Sequence, residues 1–329
     1  MQQLRLHHCP ERELNTDDFT LVDVEPPEAD QAPLQLTLRY ISVDPYMRTR
    51  MQSDGYGYIS HWAPQSILSG YGIAEVTASQ RADWHPGDWA VGHLPMQEMI
   101  AHDGDGLRRA PPGDPPLSWL HPLGMTGFTA WLGMSLLGKP QADDTVLVGA
   151  AAGAVGSIAA QLAREAGARV IVSAGRQDKR DWLQRIGFAT VLDHRADDFP
   201  SQLQHAIPEG LTLNYENLGG TAFSAAIEQM RPGGRIIVCG LISQYQWQEP
   251  RRAPTNIGHL NSKGVSIIPF VTPDHIARFP EFLEAMTPRV EHGELHWRLD
   301  IRHGGLSAVP NALIGLLSGD NLGKRLVAL

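Results

Sequence analysis

Residues 145–148, Thr-Val-Leu-Val, run straight into Gly149-Ala150-Ala151-Ala152-Gly153-Ala154-Val155-Gly156, and that octet runs straight into a helical segment. In the helix, Ile158, Ala159, Leu162, Ala163 and Ala166 fall on one face, and Gln161, Arg164 and Glu165 are expected to point away. A buried strand, a small-residue turn and an amphipathic helix in immediate succession constrain the fold more than any other feature of the chain. They require a parallel strand with a helix packed back on its sheet.

The sequence beyond the turn repeats that alternation. Short apolar or β-branched runs recur at residues 169–173, 190–192, 211–215, 235–239 and 265–268, mostly with helix-spaced segments between them. With residues 145–148 they make six strands, the number of a full doubly wound dinucleotide-binding fold. The first 120 or so residues read differently. Runs such as 34–40, 72–76 and 88–92 are cut by Gly, Pro and Asp, as in a β-rich domain. Pro111-Pro112-Gly113-Asp114-Pro115-Pro116 reads as the way out of it. After residue 296 come a strand at 297–301, a short helix at 309–317 and a strand at 325–329. That last strand needs an edge to pair with, expected in the first domain.

The turn has the form Ala-x-Gly-x-x-Gly. Gly153 allows a pyrophosphate to approach the backbone, Gly156 allows the helix to pack on the strand, and the N–H groups of Ala154, Val155 and Gly156 face the anion. A tightly packed turn is the alternative, but the flanking strands and helix favour a dinucleotide. About 20 residues on, where an NAD site has Asp or Glu, the chain reads Ser173-Ala174-Gly175-Arg176-Gln177-Asp178-Lys179. Arg176 and Lys179 favour a 2′-phosphate. Their alternative is a solvated first turn of the next helix.

Composition excludes several classes. The net charge is −9 without a long basic block, against a nucleic-acid partner. No apolar run of about 18 residues suggests a membrane span, and no leader is evident. Cys9 and Cys239 are too few for a Cys₄ zinc site or a disulfide framework. The histidines lack metal-ligand spacing, so no metal and a reducing, cytoplasmic home are expected.

Ser42-Val43-Asp44-Pro45-Tyr46-Met47-Arg48 resembles a motif of the leukotriene B4 dehydrogenase/prostaglandin reductase family. This is a zinc-independent medium-chain dehydrogenase/reductase family that includes plant double-bond reductases and bacterial curcumin reductases. Four further segments are similar in the same order: 150–156, Tyr215-Glu216-Asn217-Leu218-Gly219-Gly220, 234–245 and Gly319-Asp320-Asn321-Leu322-Gly323-Lys324. The resemblance implies an α/β protein with a GroES-like domain (residues 1–121 and 296–329) and a Rossmann domain (residues 122–295). It also implies NADPH and a homodimer.

By position, the resemblance places Lys179 on the 2′-phosphate and His194 where the family has a tyrosine near it. Asn217 falls near the cofactor, Cys239, Gly240 and Tyr245 fall along the nicotinamide half, and Asn321 falls near its end. Tyr46 and Tyr71 are similar to tyrosines facing the substrate, with half-buried strand tyrosines as the alternative. His259 aligns with a tyrosine that steadies the substrate carbonyl, within a divergent region, 246–269, with a histidine of a variable loop that never meets substrate as the alternative. The aromatic run 55–62 suggests either a substrate-shaping loop or a packed surface loop. The implied activity is reduction of the double bond of an enal or enone, with enolate charge held by hydrogen-bond donors. An NADPH:quinone oxidoreductase and a non-catalytic NADPH-binding structural or regulatory protein remain alternatives.

Overall fold

The computed structural model describes residues 1–28, 30–52, 59–246 and 254–329. The chain divides into two units, Met1–Leu120 with Leu299–Leu329, and His121–Arg298.

The first unit opens with β1 (Gln2–Leu6), β2 (Phe19–Asp23) and β3 (Leu34–Ser42), followed by a short helix, α1 (Tyr46–Arg50). Strands β4 (Ser69–Ser79), β5 (Trp89–Pro95), β6 (Met99–His102) and β7 (Arg108–Ala110) complete its amino-terminal part. In the second unit, α2 (Met125–Trp131) precedes β8 (Thr145–Val148), α3 (Ala154–Glu165), β9 (Arg169–Ser173), α4 (Gln177–Arg185) and β10 (Thr190–Leu192). Then come α5 (Phe199–Ala206), β11 (Leu211–Glu216), α6 (Gly220–Gln229), β12 (Met230–Val238), α7 (Gly258–Lys263), β13 (Ser266–Pro269) and α8 (Phe279–Glu291). The chain returns to the first unit with β14 (Leu299–His303), α9 (Val309–Leu317) and β15 (Lys324–Ala328).

The main sheet of the first unit has the order β14-β15-β3-β4-β5-β7, and β6 also pairs with β3. The last strand is therefore internal: β15 runs parallel to β14 and antiparallel to β3, with Val327 opposite Ile41. Period-two alternation along β3 sends Leu34, Leu36 and Leu38 into a core with Leu4, Leu6 and Val309. Arg325, almost fully buried, donates to Asp300 and Asp320 and ties β15 to the segment before it and to β14.

Helix α1 is absent from the sequence reading, which gives Tyr46 a strand as its alternative setting. Pro45 has φ −59° and ψ −31°, already helical, and the Met47 N–H donates to the Asp44 carbonyl at 3.1 Å. Five residues are too few to display a 3.6 period.

The second unit is a six-stranded parallel sheet, β10-β9-β8-β11-β12-β13. The order reverses between β8 and β11, so the loops after these two strands bound the crevice where this topology binds ligands. The core includes Leu147, Ile171, Leu213, Ile227 and Ile236, all buried. Gln161, expected on the polar face of α3, is buried as well. Its amide donates to the Ser157 and His296 carbonyls at 2.9 and 2.8 Å and accepts the His296 N–H at 2.8 Å. Complete hydrogen bonding permits this polar side chain in the interior. No helix of the described residues is long and apolar enough to cross a membrane.

Candidate cofactor and substrate site

In the second unit, β8 ends in a turn that has Ala150 at φ +50°, before Gly153 starts α3 in extended conformation. Among the described residues no side chain caps α3, so its first N–H groups, including those of Ala154, Val155 and Gly156, remain directed at the space ahead. A Cβ at Gly156 would lie 2.6 Å from the Ala150 carbonyl oxygen and 2.9 Å from the Ala151 Cα, so that glycine is required by packing. A Cβ at Gly153 would meet only the Ala150 oxygen, at 3.2 Å, and otherwise project into open space. That is the cradle a pyrophosphate needs.

The loop after β11 closes the other side of the crevice. Asn217 donates to the Gly149 carbonyl at 2.9 Å, joining the loop to the glycine turn. Glu216 is buried, and its carboxylate accepts from Leu218 N–H and Gly219 N–H, both at 2.7 Å, and from the Asn214 amide at 2.9 Å. Burial raises its pKa against these donors. Its backbone carbonyl accepts the Cys239 and Gly240 N–H groups at 3.0 and 3.1 Å. The segment 239–245 thus hangs on the β11 loop, and the Tyr245 hydroxyl folds back to 3.3 Å from where a Gly240 Cβ would stand. Burial pushes the Cys239 thiol up to about 12, so it is a poor nucleophile. Glu216 has no role in the sequence reading; its only sign there is its place in the quoted Tyr-Glu-Asn-Leu-Gly-Gly segment.

At the tips of β9 and β10, Ser173 and His194 meet, Oγ to Nδ1, at 3.2 Å. Burial foremost, then Arg195, lowers the His194 pKa to about 4; Lys179 and Arg180 add to the effect and Asp193 opposes it. Lys179 is itself buried. Arg176 is engaged by Asp178 through two bonds of 3.0 and 2.7 Å, both side chains being well exposed.

Tyr46, Tyr71 and Asn321 belong to the first unit. Tyr46 begins α1 and packs on the core; Tyr71, on β4, packs beside Ile73, Val91 and Leu326. Arg50 and His93, which the sequence reading omits, join their neighbourhood. Arg50 donates to the Ser60 carbonyl at 2.9 Å and to Ser69 Oγ at 3.3 Å, stands 3.4 Å from His93 Nε2 and covers the Trp62 ring at 4.1 Å. The Tyr71 hydroxyl has no hydrogen-bond partner among the described residues, and burial, then Asp44, raises its pKa. Asn321 is buried and donates to the Gly323 carbonyl at 2.8 Å, just before Lys324, which contacts Asp44.

His259 stands apart from the other residues of the second-unit crevice. It lies on α7, with Nδ1 2.9 Å from Glu228, and both side chains are about half exposed. Helix α6 starts at Gly220 beside the carboxyl end of β11, and Glu228 lies about 12 Å further along it, near the start of β12. Residues 55–58 of the aromatic run and 247–253 of the divergent region lie outside the described residues. Among the described residues no group of three His, Cys, Asp or Glu is placed to hold a metal.

Residues 154–287 match the family model of the zinc-binding dehydrogenases, and residues 2–110 match that of the N-terminal domain of oxidoreductases. The NADPH-dependent curcumin reductase of Escherichia coli K12 is 37% identical over 320 residues, 94% of this chain and 92% of that protein. The NADP(+)-dependent 2-alkenal reductase of Nicotiana tabacum is 35% identical, over 88% of this chain and 84% of its own. The crystal structure of Vibrio vulnificus CurA in complex with NADPH superposes with a TM-score of 0.93 at 33% identity, covering 100% of this chain and 99% of that one.

Proposed function

This chain belongs to the medium-chain dehydrogenase/reductase family, in its reductase branch, and on that basis we propose that it reduces the carbon–carbon double bond of α,β-unsaturated aldehydes and ketones. It is an oxidoreductase whose cofactor is NADPH. The open cradle at Gly153, the uncapped α3 and the absence of a carboxylate at the β9 tip fit that cofactor.

When bound, NADPH supplies the hydride for the β-carbon of the substrate. Negative charge then develops on the carbonyl oxygen, and a neutral donor there lowers the barrier. The observation that carries the substrate reading is the Tyr71 phenol. It is kept protonated by burial and by Asp44, and it lacks a protein acceptor among the described residues. Tyr46, also a phenol, is the second candidate donor. The likeness to reductases named for curcumin and 2-alkenals supports the same substrate class. A solvent proton completes the α-carbon.

The assay is oxidation of NADPH by the purified protein with a short enal, a cyclic enone and a small quinone, each product identified by mass. Saturated carbonyl products are expected. Turnover confined to the quinone would replace this reading with a quinone oxidoreductase. Tight cofactor binding without turnover on any of the three would replace it with a non-catalytic role.

A homodimer and a cytoplasmic location belong to the same proposal. Among the described residues strand β13 is one edge of the parallel sheet and carries Ile267, 41% exposed, so a second copy pairing along it would cover both the edge backbone and the apolar side chain. Ile267→Lys should then yield a monomer in sedimentation analysis; an unchanged mass would rule out this edge. The two free cysteines suit a reducing compartment.

A further inference from the structure

We propose that Arg195, laid across Gly175 at the tips of β9 and β10, reads the 2′-phosphate of the cofactor, and that Arg176 does not. The inference rests on NADPH being the cofactor and assigns the discrimination to a different arginine from the one the strand tip suggests.

Strands β9 and β10 are parallel neighbours with Leu192 in register with Ser173, so the residues just beyond them, 174–175 and 193–195, are adjacent. Asp193 fixes the second of these turns. One of its carboxylate oxygens accepts the Arg195 N–H at 2.9 Å, and the other accepts from Arg180 at 2.6 Å. Arg180 also donates to the Ala174 carbonyl at 3.2 Å, which ties the turn to the β9 tip. The Arg195 side chain consequently lies on Gly175. A Cβ added there would stand 2.6 Å from both its Cδ and its Nε. Gly175 and Arg195 are therefore a matched pair: the missing side chain of one is the seat of the other.

In a sheet of this order the adenosine ribose lies at the tip of the second strand, β9 in this chain. Dinucleotide sites select the 2′-hydroxyl with a carboxylate and admit a 2′-phosphate with an arginine. Here the carboxylates nearest the tip are already committed, Asp178 to Arg176 and Asp193 to Arg180. Arg176 is engaged by Asp178, whereas the stem of Arg195 lies on Gly175 and its charge, like that of Lys179, acts on the His194 imidazole; the Arg195 residue is exposed to solvent, where a bound phosphate would meet it. A planar guanidinium suits a phosphate through paired, charge-assisted hydrogen bonds.

The test is equilibrium binding of NADPH and of NADH, read by calorimetry on the purified protein without substrate. Arg195→Ala should weaken NADPH roughly 10–100-fold, as for one lost charge-assisted contact, and change NADH less than about threefold. Arg195→Lys should recover part of the loss. Gly175→Ala, which displaces the arginine stem, should cost NADPH selectively as well. Arg176→Ala should change NADPH by less than about threefold. Equal weakening of both nucleotides by Arg195→Ala, no weakening, or transfer of the selective loss to Arg176→Ala would overturn the assignment. A wild-type protein that binds NADH as tightly as NADPH would overturn the cofactor itself, and is distinguished because it appears before any substitution is made.

Discussion

Tyr71 on β4 and His93 on β5 are directly paired across the strands, their ring centroids 5.8 Å apart and their planes at 90°. The perpendicular imidazole therefore braces the phenol, while Arg50 stands at the same imidazole, 3.4 Å from Nε2. The His93 ring keeps solvent access, yet partial desolvation and then Arg50 lower its pKa.

This arrangement makes Tyr71→Phe a direct test of the enolate donor. The variant should lower kcat and kcat/KM together by roughly 10–1000-fold on an enone, the loss expected for one transition-state donor, with NADPH affinity unchanged. His93→Leu should cost less, about 2–10-fold, because it removes a brace worth an aromatic pair. His93→Phe should restore most of that loss. Full turnover by Tyr71→Phe would move the donor role to Tyr46 or to the cofactor.

His259→Ala is expected to keep kcat and kcat/KM within about threefold. Its ion pair with Glu228 is half exposed, and exposed pairs contribute little. The pair also sits far along α6 from the loops of the crevice. A tenfold or greater fall in both constants would return His259 to the site.

Glu216→Ala should weaken NADPH and NADH alike. The substitution strands the Leu218 and Gly219 N–H groups and the Asn214 amide, on which the loop geometry depends, at a cost of about 2–4 kcal/mol. Glu216→Gln, with one acceptor oxygen left, should fall between. Calorimetry with both nucleotides, together with denaturant unfolding, separates this common loss from the selective loss expected of Arg195→Ala. Unchanged affinity and stability in Glu216→Ala would show that the backbone alone holds the loop.

His194 makes apo-protein stability depend on pH in a defined direction. Its pKa is lowered from 6.5 to about 4 on folding, so between those values the unfolded chain holds a proton that the folded chain does not. Stability from this group is full above about pH 6.5 and falls as pH drops toward 4, by at most about 3 kcal/mol. His194→Gln should flatten the dependence of Tm on pH between 7.5 and 5. Parallel curves for the two proteins would exclude His194 as a source of the slope.

The parallel half of the molecule is the more legible from sequence. Residues 145–148, 169–173 and 190–192 coincide with β8, β9 and β10 because each is a short apolar run bounded by turn residues, and α3 shows its period over three turns. The antiparallel strands are less clear: β4 reaches Ser69–Ser79, beyond the run 72–76, since its ends alternate with polar and small residues that carry no hydrophobic signal. The phosphate turn is legible because one segment contains it. Arg195 is not, because its place over Gly175 depends on two strand tips meeting. His259 rests on alignment through a divergent segment, and the fold places it on α7 beside Glu228. Buried Glu216 has no pattern of its own, and only its three donors reveal what it does.

The internal position of β15 fixes an order of events during synthesis. Strands β1 to β7 leave the ribosome first, but their sheet lacks an inner strand and β14 until the entire parallel unit has been made. The parallel unit can close its sheet as soon as β13 and α8 are out. The part of the protein that is translated first is therefore the part that finishes folding last. Until Lys324–Ala328 arrives, β3 presents Tyr40, Ile41 and Ser42 as an open edge for any passing strand to pair with.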